Sequence, residues 1–128
     1  GADIIVVHGE TIVEPVAEGT NLAAVEAGVD VLAHPGLISD DVIEKGIANG
    51  VHFEISTRKG HSITNGHVAG KVLALGGELV VNNDYHAPGD RVSAELAKKI
   101  LAGAGLNESE IIKVFENNKK VFLRSLED

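Results

Sequence analysis

Three histidines and an aspartate follow apolar runs in this chain: His8 in "IIVVH", His34 in "VLAHPG", and Asp84 with His86 two residues on in "VVNNDYHAPGD". Glu54 lies late in another such run, "VHFEIS". Imidazole and carboxylate without sulfur form a donor set for Zn²⁺, Mn²⁺ or Fe²⁺, and suit neither a soft Cu(I) site nor an all-oxygen Ca²⁺ site. The chain has no cysteine, so a thiolate site and a disulfide are both excluded. Two or three such ions held close together polarise a phosphoryl oxygen, generate hydroxide near neutral pH and neutralise charge in the transition state. Hydrolysis of a phosphate ester is the natural use of that chemistry. With a formal net charge of −8, the protein needs local positive charge to hold such a substrate, and "STRKGHS" supplies Arg58, Lys59 and His61. Each feature has an ordinary explanation. A lone histidine after a strand is commonly a hydrogen-bonded loop residue, Asp before Pro-Gly is common turn composition, and a solvated basic loop explains Arg58 and Lys59 equally well. Their coincidence favours a site.

The elements that must position these residues repeat four times: a glycine, a Val/Ile/Leu-rich run, a polar residue that ends the run, then a helical segment. The runs are 1–8, 28–34, 50–56 and 76–84, nearly continuous in hydrophobicity, as strands buried on both faces of a parallel sheet are. Helices are expected from Thr20 to Ala27, from an N-cap at Ser39 to Asn49, and from Ser62 or Thr64 to Leu75. Gly28, Gly50 and Gly76 then stand one step past each helix. Two further helices are expected over Arg91 to Ala104 and Asn107 to about Leu126, the last amphipathic through Ile111, Ile112, Val114, Phe115, Val121 and Phe122. Alternation at this spacing predicts an α/β fold of four parallel βα units with right-handed crossovers. Periodicity does not fix whether the sheet is open or part of a barrel; a complete eight-unit barrel needs roughly 250 residues, so four units in 128 residues look like half of one. Every singled-out residue falls at or near the carboxyl end of its strand, the face where parallel α/β folds carry their chemistry.

"VVHGETIVEPV", "VLAHPGLI", "FEISTRKGHS" and "NNDYHAPGD" together resemble the later motifs of the polymerase and histidinol phosphatase (PHP) superfamily, in particular its small histidinol-phosphatase-like members. The resemblance runs from Asp3 to the final helices. It implies a distorted seven-stranded (β/α) barrel with up to three metal ions at the carboxyl ends of its strands. It further implies that His8 and His34 share one metal, that Asp84 ligates a second and His86 a third, and that Glu54 lines the pocket or stands behind a ligand. Arg58 and Lys59 would hold the phosphate, and His86 or His61 would assist proton transfer. The family's first motif, His-x-His, is absent, as are its bridging glutamate strand and the histidines between. The chain therefore resembles the C-terminal four strands of the seven.

The remaining candidates have simpler roles. His52 is expected to be a buried, hydrogen-bonded histidine, and His67 to pack at the surface or touch the rim. Glu10 and Glu14 follow His8 in an acidic loop that could reach substrate or metal. Bulk properties set further limits. Only three Phe and one Tyr are present, so the core must be aliphatic. The acidic balance argues against nonspecific nucleic-acid binding. No apolar run approaches the roughly 18 residues of a membrane span, and no secretory signal is visible, so a soluble cytoplasmic protein is expected. The absence of methionine, with Gly1 first, is expected of a chain processed or cut from something longer.

Two functional expectations follow. One is a metal-dependent phosphoesterase acting on a small phosphomonoester in a longer parent, with this chain alone inactive. The other is a non-catalytic PHP-like interaction module or accessory subunit. In either case the open strand edges of a partial barrel are expected to drive self-association or pairing with the missing half.

Overall fold

The computed structural model describes residues 4–58, 60–82 and 94–122. The four apolar runs form four strands, β1 (Val6–His8), β2 (Val31–Ala33), β3 (His52–Ser56) and β4 (Leu79–Asn82). They pair parallel in sequential order, β1-β2-β3-β4. Helices α1 (Thr20–Ala27), α2 (Asp40–Ala48) and α3 (Asn65–Ala74) connect them, α3 being led in by a 3₁₀ turn over His61–Thr64. Helices α4 (Ala94–Gly103) and α5 (Glu108–Phe122) follow.

Local chemistry sets the helix ends. Ser39 accepts a hydrogen bond from the Val42 amide at the start of α2. Asn107 and Glu110 bond each other's backbone amides at 2.9 and 2.8 Å, a reciprocal cap for α5. Gly28, Gly50 and Gly76 all adopt positive φ after α1, α2 and α3, as expected from their positions.

Strand alternation divides the core in two. Leu32, Phe53, Ile55, Leu79 and Val81 pack beneath the helices with Val25, Ile43, Val68, Val72, Leu101 and Val114. Val31 and Val80 point to the opposite face, where Val121 covers them with Ile4, Val6 and Phe122 alongside. The strands run in sequential order, with the connecting helices α1, α2 and α3 packed on one face. A doubly wound sheet reverses strand order and carries helices on both faces.

The two sheet edges differ. Along β4, α5 takes the place of a neighbouring strand. Asn118 accepts from the Val81 amide at 2.9 Å and donates to the Val81 carbonyl at 2.6 Å, and Asn117 donates to the Leu79 carbonyl at 2.9 Å. Strand β1 is the other terminal strand, and no strand among the described residues lies beyond it. Of the two edges expected to be open, one is thus covered from within the chain. Among the described residues no helix is long and apolar enough to cross a membrane.

At the amino ends of the strands, His52 Nε2 lies 2.6 Å from Glu78 Oε2, and Lys120 Nζ reaches the same oxygen at 3.1 Å. His52, expected to be buried, is instead half-buried at the end of β3 nearest Glu78. These two side chains border a cavity of about 260 Å³ lined from the turns that precede β3 and β4. Burial raises the Glu78 carboxyl, but the hydrogen bond from Lys120 and the charges of His52 and Lys120 outweigh it and bring the group below its ordinary 4.5.

Two outcomes are predicted. Asn118→Ala strands the edge of β4 and should cost about 1–3 kcal/mol in urea unfolding, the usual penalty for unpaired backbone groups, with increased self-association in sedimentation. A carboxylate whose folded pKa is depressed contributes stability above its unfolded pKa and loses it as pH falls through the folded value. Glu78→Gln should therefore destabilise the chain at pH 7, and the difference from the natural chain should fade below pH 4.5. At 39% side-chain exposure, the neutral-pH effect should be under about 1 kcal/mol.

Candidate metal centre

Parallel strands in register bring His8, Ala33, Glu54 and Val80 onto one row of the sheet. His8 and Glu54 therefore project from the same face. His34 follows β2 directly and turns its ring toward both. Its Nε2 lies 2.9 Å from His8 Nδ1, and its Nδ1 lies 3.4 Å from Glu54 Oε1. His34 and Glu54 are almost fully buried, at 5% and 3% exposure, whereas His8 is open to solvent.

A carboxylate only accepts, so the proton of a neutral His34 belongs on Nδ1, facing Glu54. That leaves the Nε2 lone pair directed at His8. The Glu54 contact is long, and His34 Nδ1 has no hydrogen-bond partner although it is buried. A carboxylate behind a histidine whose other nitrogen points into a site is the usual support of a metal ligand. Two imidazole nitrogens on one tetrahedral Zn²⁺ at 2.0–2.1 Å stand about 3.3 Å apart. The His8–His34 pair thus fits one shared cation after an opening of about 0.4 Å. Among the described residues no group of three His, Asp or Glu surrounds a cation position.

His61 completes a histidine stack. Its ring lies 4.1 Å from that of His34 at an interplanar angle of 24°. Its Nε2 is 3.1 Å from Glu14 Oε1 and its Nδ1 is 3.0 Å from Thr11 Oγ1. The consistent assignment is a neutral ring that donates from Nε2 to Glu14 and accepts the Thr11 hydroxyl proton at Nδ1. Burial pushes the His61 pKa down, and repulsion from His34 adds to this against the attraction of Glu14.

Four of the residues singled out in the sequence, His8, His34, Glu54 and His61, therefore meet at one end of the sheet. Arg58 is exposed two residues past β3, on the same rim. Lys59, Asp84 and His86 lie outside the described residues. His67 sits in the first turn of α3, half-buried, with Nε2 2.8 Å from the Ile38 carbonyl, a packing role. Of the acidic loop, Glu14 reaches His61, whereas Glu10 turns back to the amide of Asn21.

The sequence reading missed the asparagines. Asn21 joins the loops that carry His8 and His34, and Asn65 bonds both backbone groups of Ser56 at the end of β3. A signal was present: "TN" occurs at the start of both α1 and α3, as Thr20-Asn21 and Thr64-Asn65.

No family model matches the sequence, and no solved structure matches it. A protein of Methanocaldococcus jannaschii, described as uncharacterised, is 44% identical over 127 residues. The match covers 98% of this chain and 58% of that relative, so the chain spans little more than half the relative's length.

Replacing Glu54 by Gln removes the charge behind His34 and should weaken Zn²⁺ or Mn²⁺ binding about 10- to 100-fold. His34→Ala should abolish stoichiometric binding. Competition with a chromophoric chelator measures the first, and elemental analysis after gel filtration measures the second. Unchanged binding in both variants would remove the metal assignment.

Proposed function

We propose that the chain is the C-terminal part of a PHP-type (β/α) barrel in a metal-dependent phosphoesterase that hydrolyses a small phosphomonoester. The observation that carries this reading is the approach of His8 Nδ1 and His34 Nε2 to 2.9 Å at the ends of adjacent parallel strands, with Glu54 behind His34. The sequential winding of the sheet supports the barrel. A Zn²⁺, Mn²⁺ or Fe²⁺ ion held by His8 and His34 would supply Lewis acidity to a phosphoryl oxygen. Asp84 and His86 are the further ligands proposed from the family resemblance.

The chain's own residues divide the remaining work. Arg58 and Lys59 hold the phosphate from the rim, offsetting the acidic balance of the protein. His61 is the group that moves a proton. Both its nitrogens are engaged, so the proton passes by way of Glu14, whose side chain is 55% exposed. Further strands are proposed to add at β1, because Asn117 and Asn118 already occupy the edge of β4, which leaves the proposed barrel open on the β4 side. Until β1 is paired, the site lacks its first ligands and the isolated chain is inactive.

A second reading, a non-catalytic interaction module, draws support from the same rim. Ile12, Val13, Leu37 and Ile63, from the loops that follow the first three strands, are 43% to 66% exposed there.

The deciding assay is phosphate release from p-nitrophenyl phosphate by the full-length protein that carries this sequence, supplied with Mn²⁺ or Zn²⁺. His34→Ala or Asp84→Ala should lower turnover at least about 100-fold, the upper range for loss of a supporting group around a metal. Activity unchanged in both variants, or absent from the natural protein with every metal, would favour the interaction module.

A further inference from the structure

His34 is the one non-glycine residue with a positive φ, 31°, among the described residues. Such a conformation is strained for a residue with a Cβ, and the following proline narrows the choices of His34 further. Something in the fold must hold this turn in place. The side chain in position to do so is Asn21, the second residue of α1, only 4% exposed.

The Asn21 carboxamide spans the two histidine-bearing loops. Its Oδ1 accepts from the Glu10 amide at 3.0 Å, two residues past His8, and its Nδ2 donates to the Pro35 carbonyl at 2.8 Å, one residue past His34. Its own amide donates to Glu10 Oε2 at 2.8 Å, which places a carboxylate at the start of α1, where the helix dipole favours one. The loops approach too closely for side chains at their glycines. A Cβ on Gly9 would lie 2.5 Å from Asn21 Oδ1 and 2.8 Å from Pro35 Cα, and one on Gly36 would overlap the Glu10 carbonyl. The Gly9 amide also bonds the Ala33 carbonyl at 2.7 Å.

We infer that Asn21 is the positioning residue that fixes the separation of His8 and His34. One planar group, anchored on a helix, binds the loop after each histidine from opposite ends, so the spacing of the two rings follows from the dimensions of a carboxamide. Only a side chain that both accepts and donates at this reach does so. Aspartate has the shape but presents an oxygen to the Pro35 carbonyl, and alanine reaches neither loop. With the clamp released, His34 relaxes toward the extended φ preferred before proline, and its ring leaves His8. The consequence for metal binding rests on the proposed role of that pair, whereas the ring placement itself does not.

The test compares the natural chain with Asn21→Asp, and with Asn21→Ala should the first fail to fold. Long-range ¹H–¹⁵N spectra of the metal-free chain report the protonation pattern of the His8 and His34 nitrogens, and Co²⁺ titration reports affinity and the visible spectrum of the bound ion. The folded variant should lose the paired imidazole signature and bind Co²⁺ about 10- to 100-fold more weakly, with an altered spectrum. A lowered melting temperature with unchanged imidazole signals would make Asn21 structural only and overturn the inference. If the natural chain binds no Co²⁺ yet the pairing is lost in the variant, the positioning role stands and the metal reading falls. If pairing and affinity both survive in the variant, the positioning role falls and the metal reading stands.

Discussion

The alternation of side chains across four parallel strands is the constraint from which the site follows. Phe53 and Ile55 are fully buried against the helices, and each contributes roughly 1.5–3 kcal/mol by leaving water. That burial fixes which way β3 faces, and so forces Glu54, between them, to the opposite side. A slip of one residue would put Phe53 where Glu54 stands and bury a carboxylate among Leu32, Leu79 and Val72. The same hydrophobic pattern in β1 and β2 brings His8 and His34 to the ends of neighbouring strands. The aliphatic core thus sets where these side chains stand.

Side-chain amides perform the second task, holding what the core leaves loose. Asn21 ties the first two loops together, Asn65 holds the end of β3, Asn49 donates to the Val25 carbonyl between α1 and α2, and Asn117 with Asn118 finish the edge of β4. A carboxamide suits these places because it satisfies a backbone donor and acceptor together and brings no charge into a buried region. Short strands of three to five residues need such supports, since their own ladders contribute few hydrogen bonds.

Much of this was legible in the sequence because it depends on local pattern. Continuous Val/Ile/Leu runs bounded by glycine gave the strands, and Ser39 and the three glycines gave helix ends. Strand-end histidines could be placed on one rim once the strands were taken as parallel. The contacts made across the fold were not legible. That Glu14, six residues beyond His8, would reach His61 depends on how a loop folds back over β3. That α5 would serve as an edge partner depends on long-range packing that a helical periodicity does not encode. The positive φ of His34 was hidden as well, because "HPG" by itself predicts an extended residue before proline.

We propose that His8 and His34 hold one cation between them. Crystals of the full-length protein grown with Zn²⁺, measured on both sides of the zinc absorption edge, test it most directly. An anomalous peak is expected about 2.0–2.1 Å from both His8 Nδ1 and His34 Nε2, with Glu54 on the far side of the His34 ring. A hydrogen-bonded His8–His34 pair with no peak between the rings, while zinc binds elsewhere or nowhere, would contradict it.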